Sequence, residues 1–113
     1  MSDVEGKFNE LIKKAASYIQ EEKITEAIET WEEALKIDPE NTELKHNLCV
    51  AYYNLAVKWL TFSKFGPSYH NAYSQIMEAV KYDPDDVDAQ TMREDLEEKL
   101  RGTSYEYLID EYS

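Results

Sequence analysis

Histidine and cysteine are the side chains that most often act as general bases, nucleophiles or transition-metal ligands, and this chain has three of them. They are His46, Cys49 and His70, and they do not form the ligand pattern of a zinc site. The sequence also contains no glycine-rich phosphate loop and no nucleophile elbow. We therefore predict a protein without enzymatic activity, bound metal or cofactor.

An acidic run offers carboxylates of the kind that calcium binds. It contains Asp83, Asp85, Asp86 and Asp88, but it lacks the glycine and the distant bidentate glutamate of a calcium loop. Carboxylates just before a helix and in its first turn interact favourably with the helix dipole. We interpret the run as the start of a helix.

The chain is strongly acidic. Its 113 residues include 24 acidic and 12 basic side chains, which give a net charge of −12. Such a field repels nucleic acid and anionic lipid and favours basic or apolar partners. We therefore expect neither nucleic-acid binding nor membrane binding.

Cysteine usage and the N-terminal residues indicate the compartment. The single cysteine, Cys49, rules out an internal disulfide framework and fits a reducing environment. Residues 1–5 are acidic and have no apolar core, unlike a signal peptide. No apolar run approaches the length of a membrane span. We expect a soluble, cytoplasmic protein.

A nine-residue segment occurs twice. Residues 33–41 read EALKIDPEN, and residues 78–86 read EAVKYDPDD, 45 residues later. The proline of each copy cannot continue the preceding helical run. Asn41 and Asp86 can then cap the next helix. Each copy therefore predicts a helix–turn–helix corner in a repeat architecture.

These corners resemble those of the tetratricopeptide repeat, a 34-residue pair of antiparallel helices. That family places small residues twelve and five positions before the closing proline and a bulky residue eight positions before it. The matching positions hold Ala27, Trp31 and Ala34 before Pro39, and Ala72, Ile76 and Ala79 before Pro84. Small residues at helix crossings let the two backbones approach closely. The resemblance extends over roughly residues 8–100.

The resemblance implies an all-α fold in which antiparallel helix pairs form a right-handed superhelix. We predict one domain, residues 1–113, with repeat one at about 8–41 and repeat two at about 42–86. The second repeat carries an 11-residue insertion, because the two corners lie 45 rather than 34 residues apart.

Apolar residues at steps of three or four continue through the insertion and predict one enlarged helix from Thr42 to about Ser63. Its inward stripe would be Leu44, Leu48, Tyr52, Leu55, Trp59 and Phe62.

Periodicity also predicts the remaining helices of the two repeats. The first ends at about Gln20, the second runs from about Ile24 to Ile37, and the fourth runs from about Ser68 to Tyr82. Glu22 stands where the family usually has glycine, which predicts that the turn between the first two helices is either slightly strained or differently shaped.

Residues 87–113 predict a truncated third repeat. A capping helix follows Asp86 with a narrow apolar stripe on Ala89, Met92, Leu96 and Leu100. After Gly102, a short C-terminal helix is predicted because the apolar residues again fall at helical spacing. They are Tyr105, Leu108, Ile109 and Tyr112. This tail is either docked on the domain or a segment that folds on a partner.

In this family the first helix of each pair lines a concave groove that holds an extended peptide or a helix. Carried over by position, the groove residues are Asn9, Ile12, Ala16 and Ile19 in repeat one, and Glu43, His46, Asn47, Val50, Tyr53 and Asn54 in repeat two. The third repeat adds Asp88, Thr91 and Asp95. In the family, asparagine at the position of Asn47 commonly bonds a ligand's backbone, but it also occurs without a ligand.

The best-known subgroup of the family binds the C-terminal carboxylates of heat-shock chaperones through a basic clamp. Where that clamp needs Lys and Asn, the first helix has Ile12 and Ala16. Where it needs Lys and Arg, the third repeat has Asp88 and Met92, and only Asn47 matches. A buried carboxylate without cationic partners is costly. A chaperone tail is therefore a disfavoured partner.

A second candidate surface consists of the aromatic residues around the enlarged hairpin. They are Trp59, Phe62, Phe65, Tyr69 and Tyr73. These side chains either pack on one another and on the tail, or form an exposed patch for a partner or a second copy. The predicted function is a non-enzymatic adaptor that binds a basic or amphipathic peptide in its groove. The alternative is a structural homodimer that self-assembles through the aromatic surface.

Overall fold

The computed structural model describes residues 3–61 and 64–112, and all regular secondary structure in these ranges is helical. The helices are α1 (Asp3–Gln20), α2 (Ile24–Ile37), α3 (Thr42–Thr61), α4 (Tyr69–Tyr82), α5 (Val87–Leu100) and α6 (Tyr107–Glu111). The all-α fold class is confirmed. Among the described residues, every helix is too short or too polar to reach across a lipid bilayer.

The helix boundaries follow from local signals at the repeated corners. The Oδ1 atom of Asn41 accepts a hydrogen bond from the backbone N–H of Leu44 at 2.9 Å. At the second corner, Oδ1 of Asp86 accepts one from the N–H of Ala89, also at 2.9 Å. Each bond satisfies a backbone donor that has no partner within the first turn of a helix. Both predicted caps are confirmed.

The chain divides into two compact units, Met1–Leu48 and Cys49–Ser113, with the boundary inside α3. In unit 1, α1 and α2 pack against each other across a three-residue turn. Ala15, Ala27 and Ala34 are completely buried there, as expected for small residues where two helices cross. The organisation of residues 1–113 as one domain stays a prediction.

The core of unit 2 is formed mainly by α3, α4 and α5. Its buried residues are Cys49, Ala56, Ala72, Tyr73, Ile76, Ala79, Ala89, Leu96 and Leu100. The Tyr73 hydroxyl donates a hydrogen bond to Oε2 of Glu97 at 2.9 Å, and Arg93 pairs with the same oxygen at 2.9 Å. Burial raises the pKa of Tyr73, and the hydrogen bond to Glu97 raises it further. The only polar group of this large core residue is therefore satisfied.

The inward stripe of α3 differs from the predicted one in its second half. The structure buries Leu48 and Ala56 and half-buries Leu60, whereas Trp59 remains 41% exposed. Leu48, Ala56 and Leu60 are separated by multiples of four residues, and each step of four rotates the stripe by about 40° around the helix. The prediction that Trp59 lies inward was therefore wrong. The predicted end of α3 near Ser63 lies outside the described residues, of which α3 includes Thr42–Thr61.

The C-terminal tail is docked on unit 2. Leu108 and Ile109 pack against the core of this unit. The ring of Tyr112 meets that of Tyr73 edge to face, with centroids 5.7 Å apart. The ring of Tyr105 stacks on that of His70 at 4.0 Å. Of the two alternatives left open by the sequence, the structure thus has the docked arrangement.

Candidate functional site

An open cleft of about 280 Å³ lies in unit 2 between α3, the start of α4 and α5. We call it the acidic cleft. Its lining residues are Tyr53, Leu60, Tyr69, Asp88, Thr91, Met92, Asp95, Leu96 and Lys99. Leu96 is buried, while Tyr53, Leu60 and Met92 are half-buried, so the floor is apolar.

The charges of the acidic cleft come from one face of α5. Asp88 and Asp95 are seven residues apart, which places them on the same side of the helix and about 10 Å apart along its axis. Both are exposed to solvent. Lys99 lies one turn beyond Asp95 at the far end of the cleft. A cationic group between the two carboxylates would keep its hydration while its aliphatic stem covered the apolar floor.

A smaller cleft of about 180 Å³ lies in unit 1, and we call it the unit-1 cleft. It is lined by Phe8, Asn9, Ile12, Trp31, Asn41, Glu43, Leu44 and Asn47. Asn41 already caps α3 through its side-chain oxygen. Asn47 is half-buried, so its amide can meet the backbone of a segment that enters the cleft.

A third cleft of about 570 Å³ lies in unit 2 where the α3–α4 and α5–α6 connections approach each other. We call it the aromatic cleft. Its lining residues are Trp59, Phe65, Gly66, Pro67, Ser68, Tyr69, His70, Asn71, Lys99, Leu100, Thr103, Ser104 and Tyr105. The backbone N–H of Ser68 donates to the carbonyl of Trp59 at 2.9 Å. This hydrogen bond connects the residue before α4 to α3, so it fixes the positions of Ser68 and Trp59 in the lining relative to each other.

The structure distributes the predicted groove residues over two clefts. Asn9, Ile12, Glu43 and Asn47 line the unit-1 cleft, and Tyr53 lines the acidic cleft. The residues of the third repeat, Asp88, Thr91 and Asp95, also line the acidic cleft. The other predicted groove residues are exposed and line neither of these clefts; they are Ala16, Ile19, His46, Val50 and Asn54. A role of any of these residues in binding stays a prediction.

The second predicted surface divides between the aromatic cleft and the core. Trp59, Phe65 and Tyr69 line the aromatic cleft. Tyr73 does not belong to any surface, because it is completely buried in unit 2. Of the two alternatives predicted for these side chains, Tyr73 has the packed one, because its ring meets that of Tyr112 in the tail. Phe62 lies outside the described residues.

Sequence reasoning missed several residues that line the clefts. Leu60 and Met92 contribute to the acidic cleft, and Ser104 and Tyr105 contribute to the aromatic cleft. A burial stripe with steps of four would have found Leu60. The sequence did not indicate that Ser104 and Tyr105 line a cleft, because their positions depend on how the C-terminal tail packs on unit 2.

Cys49 occupies a structural position. It is 1% exposed. Burial raises the pKa of its thiol to about 12, and the charges of Asp86 and Asp83 add to that rise. A thiol of this kind is a poor nucleophile because the thiolate is the reactive form. The side chain therefore acts as a small core residue.

Residues 16–55 of the chain match a family model described as TPR repeat. The match covers α2 completely, together with the end of α1 and most of α3. A search of curated proteins and a search of solved structures each returned no match.

Proposed function

Because residues 16–55 match the tetratricopeptide repeat, we propose that this chain is a non-catalytic binding module of that family whose partner is a basic or amphipathic peptide segment. Repeats of this family are in general protein–protein interaction scaffolds without enzymatic activity. The family assigns the class of function. The chemistry of the partner has to come from the clefts of this chain.

The observation that carries the proposal is the pairing of Asp88 and Asp95 above the apolar floor of the acidic cleft. A lysine or arginine of the partner can lay its methylene groups over Tyr53 and Met92 while its charge lies near a carboxylate. The charge of the whole molecule, −12, draws a basic segment toward this face and accelerates its association. An acidic segment would be repelled by the net charge of the molecule during its approach, and by Asp88 and Asp95 once it reached the cleft.

The unit-1 cleft offers a different contribution. Its walls are the apolar side chains of Phe8, Ile12 and Trp31, with Asn47 at its margin. We propose that this cleft accepts an apolar side chain of a partner and that the Asn47 amide bonds the partner's backbone. Backbone bonds of this kind fix the orientation of a segment without selecting its sequence.

The test is titration of the protein with a labelled amphipathic lysine–leucine peptide, followed by fluorescence anisotropy. Asp95→Lys is expected to weaken binding at least tenfold, because it replaces an attraction with a repulsion at the site. Glu98→Lys is the matched control, since Glu98 is an exposed acid of α5 that does not line the cleft. Equal losses in the two variants would show that only net charge matters.

Two further variants test the apolar contacts of the predicted groove. Tyr53→Ala removes part of the floor of the acidic cleft. Val50→Asp changes a side chain that is 42% exposed, so it leaves the core of unit 2 intact. Tyr53→Ala is expected to weaken binding of the peptide, whereas Val50→Asp weakens it only if the predicted groove extends beyond the acidic cleft, which Val50 does not line. If neither variant changes the affinity, α3 does not take part in recognition.

A second candidate function is self-assembly through the aromatic surface. It is supported by Phe65, which is 93% exposed, and by Trp59, which is 41% exposed. Exposed aromatic side chains near each other often mark an interface. Sedimentation velocity decides this candidate: a protein that stays monomeric at tens of micromolar does not use this surface for a stable homodimer.

A further inference from the structure

The acidic cleft and the aromatic cleft are neighbours within unit 2. Tyr69 and Lys99 line both of them. The Tyr69 ring therefore forms a shared wall, and a segment that leaves the acidic cleft past Lys99 enters the aromatic cleft directly. One ligand of modest length can occupy both.

The two clefts differ sharply in charge. About one residue in five of the chain is acidic, yet none of the described residues that line the aromatic cleft is. Its basic side chains are Lys99 and His70. A second cation of the ligand would meet Lys99 there without a compensating carboxylate. The aromatic cleft is therefore unsuited to the basic residue that the acidic cleft accepts.

The lining of the aromatic cleft favours an apolar group. Trp59, Phe65, Tyr69 and Tyr105 present rings to it, and Leu100 is buried at its base. Several polar groups of the lining are already engaged. Asn71 donates to Oγ of Ser68 at 2.8 Å, and the Thr103 hydroxyl donates to the carbonyl of Leu100 at 2.6 Å. The rings thus offer the larger free contact area.

Size supports the same assignment. Small-ligand sites commonly have volumes of about 300–1,000 Å³. The aromatic cleft, at about 570 Å³, lies within this range, whereas the acidic cleft, at about 280 Å³, falls just below it. The larger cleft can take a complete aromatic side chain. The stack of Tyr105 on His70 at 4.0 Å keeps one of its walls in place for such a ring.

We infer, on the premise of the proposed function, that the aromatic cleft is a specificity pocket for an aromatic residue of the same peptide segment. The basic residue of the segment lies at Asp88 and Asp95, and the aromatic residue follows it past Tyr69 and Lys99. The partner is thus defined by two features at a fixed spacing, a cation and an aromatic side chain, rather than by positive charge alone.

The experiment uses a set of labelled fifteen-residue peptides composed of alanine and lysine, with one phenylalanine moved through successive positions. The reference peptide has alanine at every scanned position. At one spacing from a lysine, phenylalanine is expected to raise the affinity about tenfold or more, the gain expected for burying one large apolar side chain. At other spacings it is expected to have little effect.

Two variants of the protein connect this gain with the aromatic cleft. Phe65→Ala removes a 93%-exposed ring, and Ser104→Glu adds a carboxylate to an exposed position of the lining. In both variants the phenylalanine and reference peptides are expected to bind with about equal affinity, so that the gain from phenylalanine is lost whatever the added charge does to both affinities. Tyr107→Ala is the matched control, because Tyr107 is 58% exposed on the tail and does not line the cleft.

The outcomes separate this inference from the function on which it rests. Binding of the peptides with no effect of phenylalanine at any spacing overturns the specificity pocket and leaves the binding module standing. Failure of every peptide to bind overturns both. A dimer in sedimentation that Phe65→Ala dissociates also overturns the pocket, because a second copy of the chain then covers the cleft.

Discussion

Glu22 adopts a backbone conformation that non-glycine residues rarely adopt, with φ of +61°. It ends α1 in a Schellman motif: the N–H of Lys23 bonds to the carbonyl of Tyr18 at 2.8 Å, and the N–H of Glu22 bonds to that of Ile19 at 3.0 Å. Glycine is preferred at this position because it has no Cβ to clash with the backbone. Of the two alternatives predicted from the sequence, the strained turn is therefore present.

Replacement of Glu22 by glycine is expected to stabilise the protein by about 1 kcal/mol, since the left-handed conformation costs a side chain roughly that amount. Urea unfolding followed by circular dichroism measures the change. Glu21→Gly is the control, because it removes the same charge at a neighbouring residue that lacks a positive φ. Equal gains in both variants would assign the effect to charge rather than to backbone strain.

Cys49 provides a second prediction for a single residue. Burial raises the pKa of its thiol to about 12, so the folded protein contains far less thiolate at neutral pH than the unfolded chain does. Labelling with an aromatic disulfide reagent at pH 8 is therefore expected to be roughly a hundredfold or more slower in buffer than in concentrated urea. Comparable rates would show that the thiol is accessible in the folded state.

The same shift predicts how stability depends on pH. Because the folded pKa is above the unfolded one, the contribution of the neutral thiol is complete below about pH 8.5. It is lost as the pH rises from there toward 12. Between pH 8 and pH 10.5, the wild-type protein is expected to lose more stability than Cys49→Ala. Parallel losses in the two proteins would contradict the raised pKa.

At the scale of the helices, Asn41 and Asp86 have the same role, because each caps the helix that follows a repeated corner. Asn41→Ala and Asp86→Ala are each expected to lower the free energy of unfolding by about 1 kcal/mol, because each leaves a backbone N–H of the next helix without its side-chain partner. Urea titration measures both losses. Serine at the same positions is expected to retain most of the stability, since its hydroxyl also caps. If serine is as costly as alanine, the caps do not act through these hydrogen bonds.

The corners could be predicted from sequence because every signal for them is local. Residues 33–41 contain the end of α2, the proline that stops it and the cap of α3 within nine positions. α2 accordingly has the predicted bounds, and α4 begins one residue later than predicted.

The buried face of the C-terminal half of α3 could not be predicted from local signals in the same way. Its buried face is decided by the elements that cover it, and the spacing of apolar residues is compatible with two stripes. The predicted stripe contained Trp59, and the observed one contains Ala56 and Leu60. An alanine is a weak signal for burial in sequence, although it is the small side chain that a close helix approach requires.

The candidate sites also divide into a part that the sequence predicts and a part that depends on contacts distant in sequence. Tyr53, Asp88 and Asp95 were assigned by repeat position, and they line one cleft because equivalent positions of a repeat face the same side. The aromatic cleft combines the α3–α4 connection with the turn after α5. That combination depends on contacts distant in sequence, and a single sequence without aligned relatives contains no signal for them.

At the scale of the whole molecule, the excess of acidic side chains is a repulsive contribution to the folded state. Twelve basic residues cannot compensate 24 acidic ones. Moderate salt shortens the screening length from about 30 Å at 0.01 M to about 10 Å at 0.1 M. Potassium chloride is therefore expected to raise the midpoint of thermal unfolding over this range, measured by circular dichroism.

A charge variant provides the control. The double variant with Glu33→Lys and Glu98→Lys changes two exposed acids, and it is expected to show a smaller gain with salt because less repulsion remains to be screened. A midpoint that is insensitive to salt in the wild-type protein would show that the acidic side chains are too far apart to destabilise the fold.

The wall that Tyr69 and Lys99 contribute to both clefts of unit 2 has a practical consequence for ligand discovery. Two weakly binding fragments, a cationic one in the acidic cleft and an aromatic one in the aromatic cleft, would lie on opposite sides of the Tyr69 ring. Joining them with a short tether would make the second binding step intramolecular, at an effective concentration in the millimolar range. A small covalent hybrid could in this way gain an affinity that neither fragment reaches alone.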